Sequence, residues 1–154
     1  MRPSDGFTLI EMLIVLIIAG VTLALGGLYF GRYLDRSSAK RAAEMFGQDL
    51  TVARNTAYRS RQRVVVDFDE AVRKYVIRVE RGDTLFSRSF DDDGEIRLSS
   101  VDLQMRGDTL AFDAQGIADL GGAGGPLGQA VFQSGAASFR VSFNSMGASR
   151  VDET

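Results

Sequence analysis

Histidine and cysteine are both absent from the 154 residues. Imidazole bases, thiolate nucleophiles, disulfides and the usual zinc or iron ligands are therefore excluded together. The side chains left to do chemistry are carboxylates and guanidiniums. Asp91-Asp92-Asp93-Gly94-Glu95 is the densest acidic run. Hard oxygen ligands suit calcium, and Asp91, Asp93 and Glu95 are the candidate ligands. Adjacent carboxylates do not converge without a tailored loop, however, and Asp-Gly is a common turn signal, so no metal site and no cofactor are expected. Asp67 and Asp69 fall on one solvent-facing side of a strand with no base beside them, and the chain is expected not to be an enzyme. The glycine-rich stretch from Gly121 to Gly128 lacks the lysine and Ser/Thr of a phosphate loop and reads as a flexible connection. Nucleic-acid binding needs clustered cations. Arg140 and Arg150 are candidates but stand isolated near an acidic tail, and Arg59, Arg61 and Arg63 form the one denser patch, so no nucleic-acid partner is expected.

Glu11 is different, because its position demands a reason. It abuts Met12 to Gly31, twenty uncharged residues dense in Leu, Ile and Val. At about 1.5 Å per residue such a helix matches a hydrocarbon core of about 30 Å. A charge inside a membrane costs about 2.5–3.5 kcal/mol at the centre and less near the ends, and usually marks function. Three readings compete. A cleaved secretory signal finds small residues at Ala24-Leu25-Gly26, but its n-region should be cationic, and here Arg2 is offset by Asp5. A plain anchor makes Thr8-Leu9-Ile10-Glu11 a capping box that satisfies the free N–H groups of the helix start, and leaves Gly6-Phe7 unexplained. In the third, Met1 to Gly6 is a short hydrophilic leader cut between Gly6 and Phe7. That cut creates an ammonium on Phe7 one turn before Glu11, where the helix dipole already favours a carboxylate. The two charges can neutralise each other within one chain, or Glu11 can meet the amine of an adjacent chain and set a register for assembly.

The Gly6-Phe7-Thr8-Leu9-Ile10-Glu11 sequence, with the apolar run behind it, resembles the class III signal peptide of type IV prepilins and type II secretion pseudopilins. The resemblance implies cleavage after Gly6 by a prepilin peptidase, N-methylation of Phe7, and a helix that Glu11 guides into a filament of other pseudopilins or pilins. It also implies a single-pass protein of the bacterial inner membrane with a periplasmic C-terminal domain. The flanking charges oppose this topology. Arg32, Arg36, Lys40 and Arg41 follow the span, which by the positive-inside count alone would leave the C-terminal part in the cytoplasm. The expected topology follows the resemblance.

The elements that hold these residues follow from periodicity. Gly20, Gly26, Gly27 and Gly31 each weaken a helix by about 1 kcal/mol relative to alanine, so the span is expected to bend or unwind near Gly26-Gly27. Beyond it, Ala39, Ala43, Phe46, Leu50, Ala53 and Ala57 make one apolar helical stripe. Arg32 to Arg63 holds eight basic and three acidic residues, whereas Val64 to Thr154 holds nine basic and fifteen acidic, giving a basic stem and an acidic head. After Arg63 the pattern alternates, at Val64, Val66 and Phe68 and then Tyr75, Ile77 and Val79. Further strands are expected over 85–90, 95–103, 110–113, 129–133 and 138–144. The fold class is α+β: a long N-terminal helix, half transmembrane and half amphipathic, packed on a small, mostly antiparallel β domain. The expected divisions are a leader at 1–6, a transmembrane half at 7–31, an amphipathic half at 32–60 and an extracytoplasmic β domain at 61–154. Leu110 to Gly116 and Phe139 to Gly147, with Arg150-Val151, resemble the late strand and glycine-turn pattern of GspH/FimT minor pseudopilins. That likeness implies a subunit that initiates or caps a type II secretion pseudopilus or type IV pilus. A membrane-anchored module binding DNA or a secreted substrate is the alternative. Ala148 and the acidic tail depart from the GspH/FimT pattern, so the final strand is expected to be poorly formed.

Overall fold

The computed structural model describes residues 7–91, 94–104, 109–119 and 127–154. Helix α1 (Leu9–Ser60) comes first. Five strands, β1 (Val64–Asp69), β2 (Lys74–Val79), β3 (Thr84–Ser89), β5 (Thr109–Phe112) and β6 (Ala118–Asp119), form a sheet in the order β3-β2-β1-β5-β6. A second sheet has the order β4-β7-β8-β9, from β4 (Ser100–Gln104), β7 (Leu127–Ser134), β8 (Ala137–Asn144) and β9 (Ser149–Glu153). Every strand pair in both sheets is antiparallel. The chain divides into two compact units, one ending at Leu34 and the other running from Asp35 to Thr154.

Within the first unit α1 is long and apolar enough to cross a membrane, and none of its apolar window is buried by the described residues. The unwinding expected at Gly26-Gly27 is not found, because α1 is α-helical without interruption. Each glycine weakens the helix by only about 1 kcal/mol relative to alanine, and the flanking Ala24, Leu25 and Leu28 are good helix formers, so the chain carries on through the pair. A Cβ added at Gly20, Gly26 or Gly31 would meet nothing within 4 Å, so no contact among the described residues requires glycine there.

In the second unit the helical stripe is the centre of the core. Ala39, Ala42, Ala43, Phe46, Leu50, Ala53 and Ala57 are fully buried. The small residues let the backbone of α1 approach both sheets, and Phe46 alone in the stripe reaches far. Its ring lies 5.3 Å from Phe68 and 5.4 Å from Tyr75 in the first sheet, and 5.5 Å from Phe132 and 6.0 Å from Phe143 in the second. Three of these pairs are edge-on, the arrangement that ring quadrupoles favour.

Two expectations for the strands need correction. The segment 95–103 forms a strand only from Ser100. Ile96 and Leu98 are buried as alternation requires, but Val101 comes three residues after Leu98, which breaks the period of two. Leu98 N–H instead donates to Phe90 O, and pairing with β7 begins where Ser99 N–H donates to Gln133 O. The final strand is well formed: Phe139 to Phe143 pair with Ser149 to Glu153. Asn144 makes its turn, its Oδ1 accepting from both Met146 N–H and Ala148 N–H at 3.0 Å. β9 then closes on the helix, with Ser149 against Gly47 and Glu153 paired with Arg36.

Candidate functional site

At the start of α1, Thr8 is the cap. Its Oγ1 accepts from Glu11 N–H at 3.3 Å, and its carbonyl accepts from Glu11 N–H and Met12 N–H at 3.1 and 3.2 Å. This is half of a capping box: the Glu11 carboxylate makes no return bond and is without a partner among the described residues. Phe7 is 71% exposed. The candidate cleavage residue Gly6 lies outside the described residues, as does the rest of the leader. Thr8 thus caps the Glu11 N–H without the Glu11 side chain, and among the described residues the carboxylate one turn in is left for another group.

Asp91 and Glu95 of the candidate calcium set are described, and Asp93 lies outside the described residues. Asp91 serves a turn, its Oδ2 accepting from Ser89 Oγ at 2.8 Å and its carbonyl from Gly94 N–H at 3.1 Å. Asp67 pairs with Arg78 at 2.7 Å, and Asp69 accepts from Val72 N–H. The glycine-rich stretch lies outside the described residues up to Pro126. Arg140 and Arg150 sit on neighbouring strands, but Asp152 is opposite Arg140 in register and is bonded to Arg150 at 2.9 Å. The buried Nε of Arg140 has no hydrogen-bond partner among the described residues. Asp152 is thus the ion-pair partner of Arg150 and only the register neighbour of Arg140.

Two arrangements escaped the sequence. Asp49, 5% exposed on the buried side of α1, accepts from Tyr75 Oη at 2.6 Å and from Arg88 Nε at 3.1 Å. This ties the helix to β2 and β3. An aspartate directly before Leu50 in the stripe was the available signal. Burial, above all, pushes the Tyr75 phenol above its ordinary value of 10.0, and Asp49 adds to the rise while Arg88 opposes it. The bond to Asp49 likewise raises Arg88. A phenol kept neutral in the fold but free to ionise in the unfolded chain makes stability fall once pH exceeds the unfolded value. The urea midpoint is expected to decline above pH 10.0, and the decline should be shallower in Tyr75→Phe.

The second arrangement is a clasp on Arg54. Gly116 (φ 75°) and Gly147 (φ 72°) end the two glycine turns singled out above, and both pack against the Arg54 stem. Arg54 Nε donates to Gly116 O at 3.3 Å. Close by, Ala118 N–H donates to Ser145 O at 2.6 Å, which links the two sheets. Two patterns far apart in sequence therefore share one helical partner.

Residues 1–27 match the family model described as the prokaryotic N-terminal methylation motif. Competence protein ComGD of Bacillus subtilis (strain 168) is 28% identical over 132 residues, 86% of this chain and 86% of that protein. Among solved structures, the minor pseudopilin EpsH from the Type 2 Secretion System of Vibrio cholerae matches with a TM-score of 0.56 at 16% identity, covering 75% of this chain and 97% of that one. The type IV minor pilin FimU of Pseudomonas aeruginosa (strain PAO1) matches at 0.55 and 17% identity, covering 79% of this chain and 92% of that one. The chain has the pilin-like fold of these minor subunits and carries the methylation motif at its start.

Proposed function

We propose that this pilin-like chain is a minor pseudopilin or minor pilin that helps initiate or cap a type II secretion pseudopilus or a type IV pilus. On this reading a prepilin peptidase cuts between Gly6 and Phe7, Phe7 is N-methylated, and α1 anchors the chain in the bacterial inner membrane with its β domain on the periplasmic side. The observation that carries the proposal is the helix start. Thr8 caps α1 without the Glu11 side chain, and among the described residues the Glu11 carboxylate is unpaired at the edge of an apolar surface that none of them covers. An unpaired charge in that setting is costly, and the ammonium that cleavage would create on a neighbouring subunit is a partner of the right sign at the right depth. The methylation motif supports the cut, and the pilin-like fold shared with two minor subunits is compatible with a minor-subunit role. The work of the chain is then assembly, with the β domain presenting the contacts to other minor subunits.

Mass spectrometry of the chain co-expressed with a prepilin peptidase tests the reading. The expected product begins at methylated Phe7. A chain that keeps Met1 to Gly6 in the presence of active peptidase rules the filament role out.

A further inference from the structure

We propose that the C-terminal end of α1 carries a docking site for an acidic segment of a partner protein, with Arg59 and Arg61 as the residues that hold its carboxylates. A surface cavity of about 530 Å³ opens there, lined by Tyr58, Arg59, Arg61, Ala114 and Gln115. Among the described residues, the non-glycine positions with positive φ are Arg61 at 52° and Arg73 at 51°. An L-residue in the left-handed region pays a steric penalty that glycine avoids. Arg73 has a structural reason for it. Its Nη1 donates to Leu98 O at 2.6 Å and its carbonyl accepts from Phe90 N–H at 2.9 Å, which pins the segment leading to β4.

Arg61 has no such tie. Its guanidinium makes no hydrogen bond, ion pair or ring contact among the described residues. It directly follows the helix, where glycine is the favoured residue. The left-handed turn ends the helix, as is common at this position, so what sets Arg61 apart is that a long cation stands there with its guanidinium unpaired among the described residues. Arg59 is also unpaired among the described residues, although the negative end of the helix dipole accounts for a cation in the last turn. Arg63 differs from both, forming ion pairs with Glu80 at 3.5 Å and Asp119 at 3.8 Å.

The surroundings define the partner. Tyr58 is 67% exposed and lines the cavity together with Ala114. An aromatic and apolar surface therefore adjoins the two cations, which are unpaired among the described residues. Glu80 and Asp119 beside Arg63, and Asp113 within the turn before β6, break up the positive charge. A nucleic-acid strand needs cations that track its phosphates. A peptide with one or two carboxylates among apolar side chains needs only this spot, and arginine binds carboxylate bidentately. The proposal is independent of the filament reading, since it concerns the β domain and the helix end alone.

Fluorescence anisotropy on the full chain in a neutral detergent tests it. The probes are a labelled short peptide alternating Glu and Leu, its Gln-for-Glu analogue, and a labelled single-stranded oligonucleotide of matching charge. The acidic peptide is expected to bind saturably. Binding should weaken by about ten-fold with the Gln analogue, with Arg61→Gly and with Arg59→Gln. Arg61→Gly should meanwhile unfold at the same or a higher urea concentration than the wild type, which separates lost binding from lost folding. No binding, equal affinity for the two peptides, or equal affinity of wild type and Arg61→Gly overturns the site. Tighter binding of the oligonucleotide overturns the assignment to a peptide.

Discussion

Phe46→Ala is expected to remove about 3–5 kcal/mol from the stability of the β domain, the usual cost of truncating a buried phenylalanine. A domain of this kind is stable by about 5–15 kcal/mol in all, so the loss is a large part of the whole. The effect should lie at the upper end because of where the ring sits. Phe46 meets Phe68 and Tyr75 on one sheet and Phe132 and Phe143 on the other. The void left by alanine would face aromatic rings held by two separate hydrogen-bonded sheets, and neither sheet can slide in to fill it without breaking its own pairing. Urea denaturation followed by near-ultraviolet circular dichroism measures the change. Phe46→Leu should recover much of the loss, since it refills volume while giving up the edge-on ring contacts. A loss below about 1 kcal/mol in Phe46→Ala would mean that the ring does not join the two sheets.

Glu11→Ala should leave cleavage and membrane insertion intact while reducing incorporation into a filament beside wild-type neighbours by about a hundred-fold or more. In the proposed filament Glu11 pairs with a neighbour's ammonium; removing one member of such a buried pair strands the other, at a cost of about 3–5 kcal/mol, and about 1.4 kcal/mol corresponds to a factor of ten. The alanine variant still has Thr8 as its cap, because Thr8 accepts the Glu11 backbone N–H and not its side chain. The helix should therefore start in the same place. Fractionating sheared filaments and blotting for the variant gives the readout, with mass spectrometry of the N-terminus as the control for processing. Undiminished incorporation would remove the registering role from Glu11.

The sequence was most informative where one physical cause dominated. The stripe from Ala39 to Ala57 is buried as its spacing indicates, and the alternation at Val64, Val66, Phe68, Tyr75 and Ile77 gives the inner face of β1 and β2. It was least informative where a side chain acts through a distant partner. Asp49 could be seen as an oddity in the stripe, but Tyr75 and Arg88 are its partners only because β2 and β3 pass over that turn of the helix. Arg54 looked like any exposed cation, and only the folded chain brings Gly116 and Gly147 to it. The segment 95–99 alternated as a strand does, yet alternation reports which side is buried and not whether a neighbouring strand is there to pair with. The last strand was misjudged for the opposite reason. Attention to the residue after Gly147 missed Asn144, whose side chain builds the turn.

The position of Phe46 between two sheets bears on the order in which the domain can form. α1 is the first element of the chain, whereas Phe132 and Phe143 belong to strands near its other end. The buried side of the helix therefore waits, wet and unshielded, until nearly every later strand has been laid down, and contacts between such distant parts of a chain are slow to form. A stripe rich in large apolar side chains would be a hazard during that interval, open to collapse on the wrong surface. Alanine at positions 39, 42, 43, 53 and 57 keeps the waiting surface thin. Most of the adhesive area is concentrated in Phe46 and Leu50, so the helix can remain exposed while it waits and still close firmly once both sheets arrive.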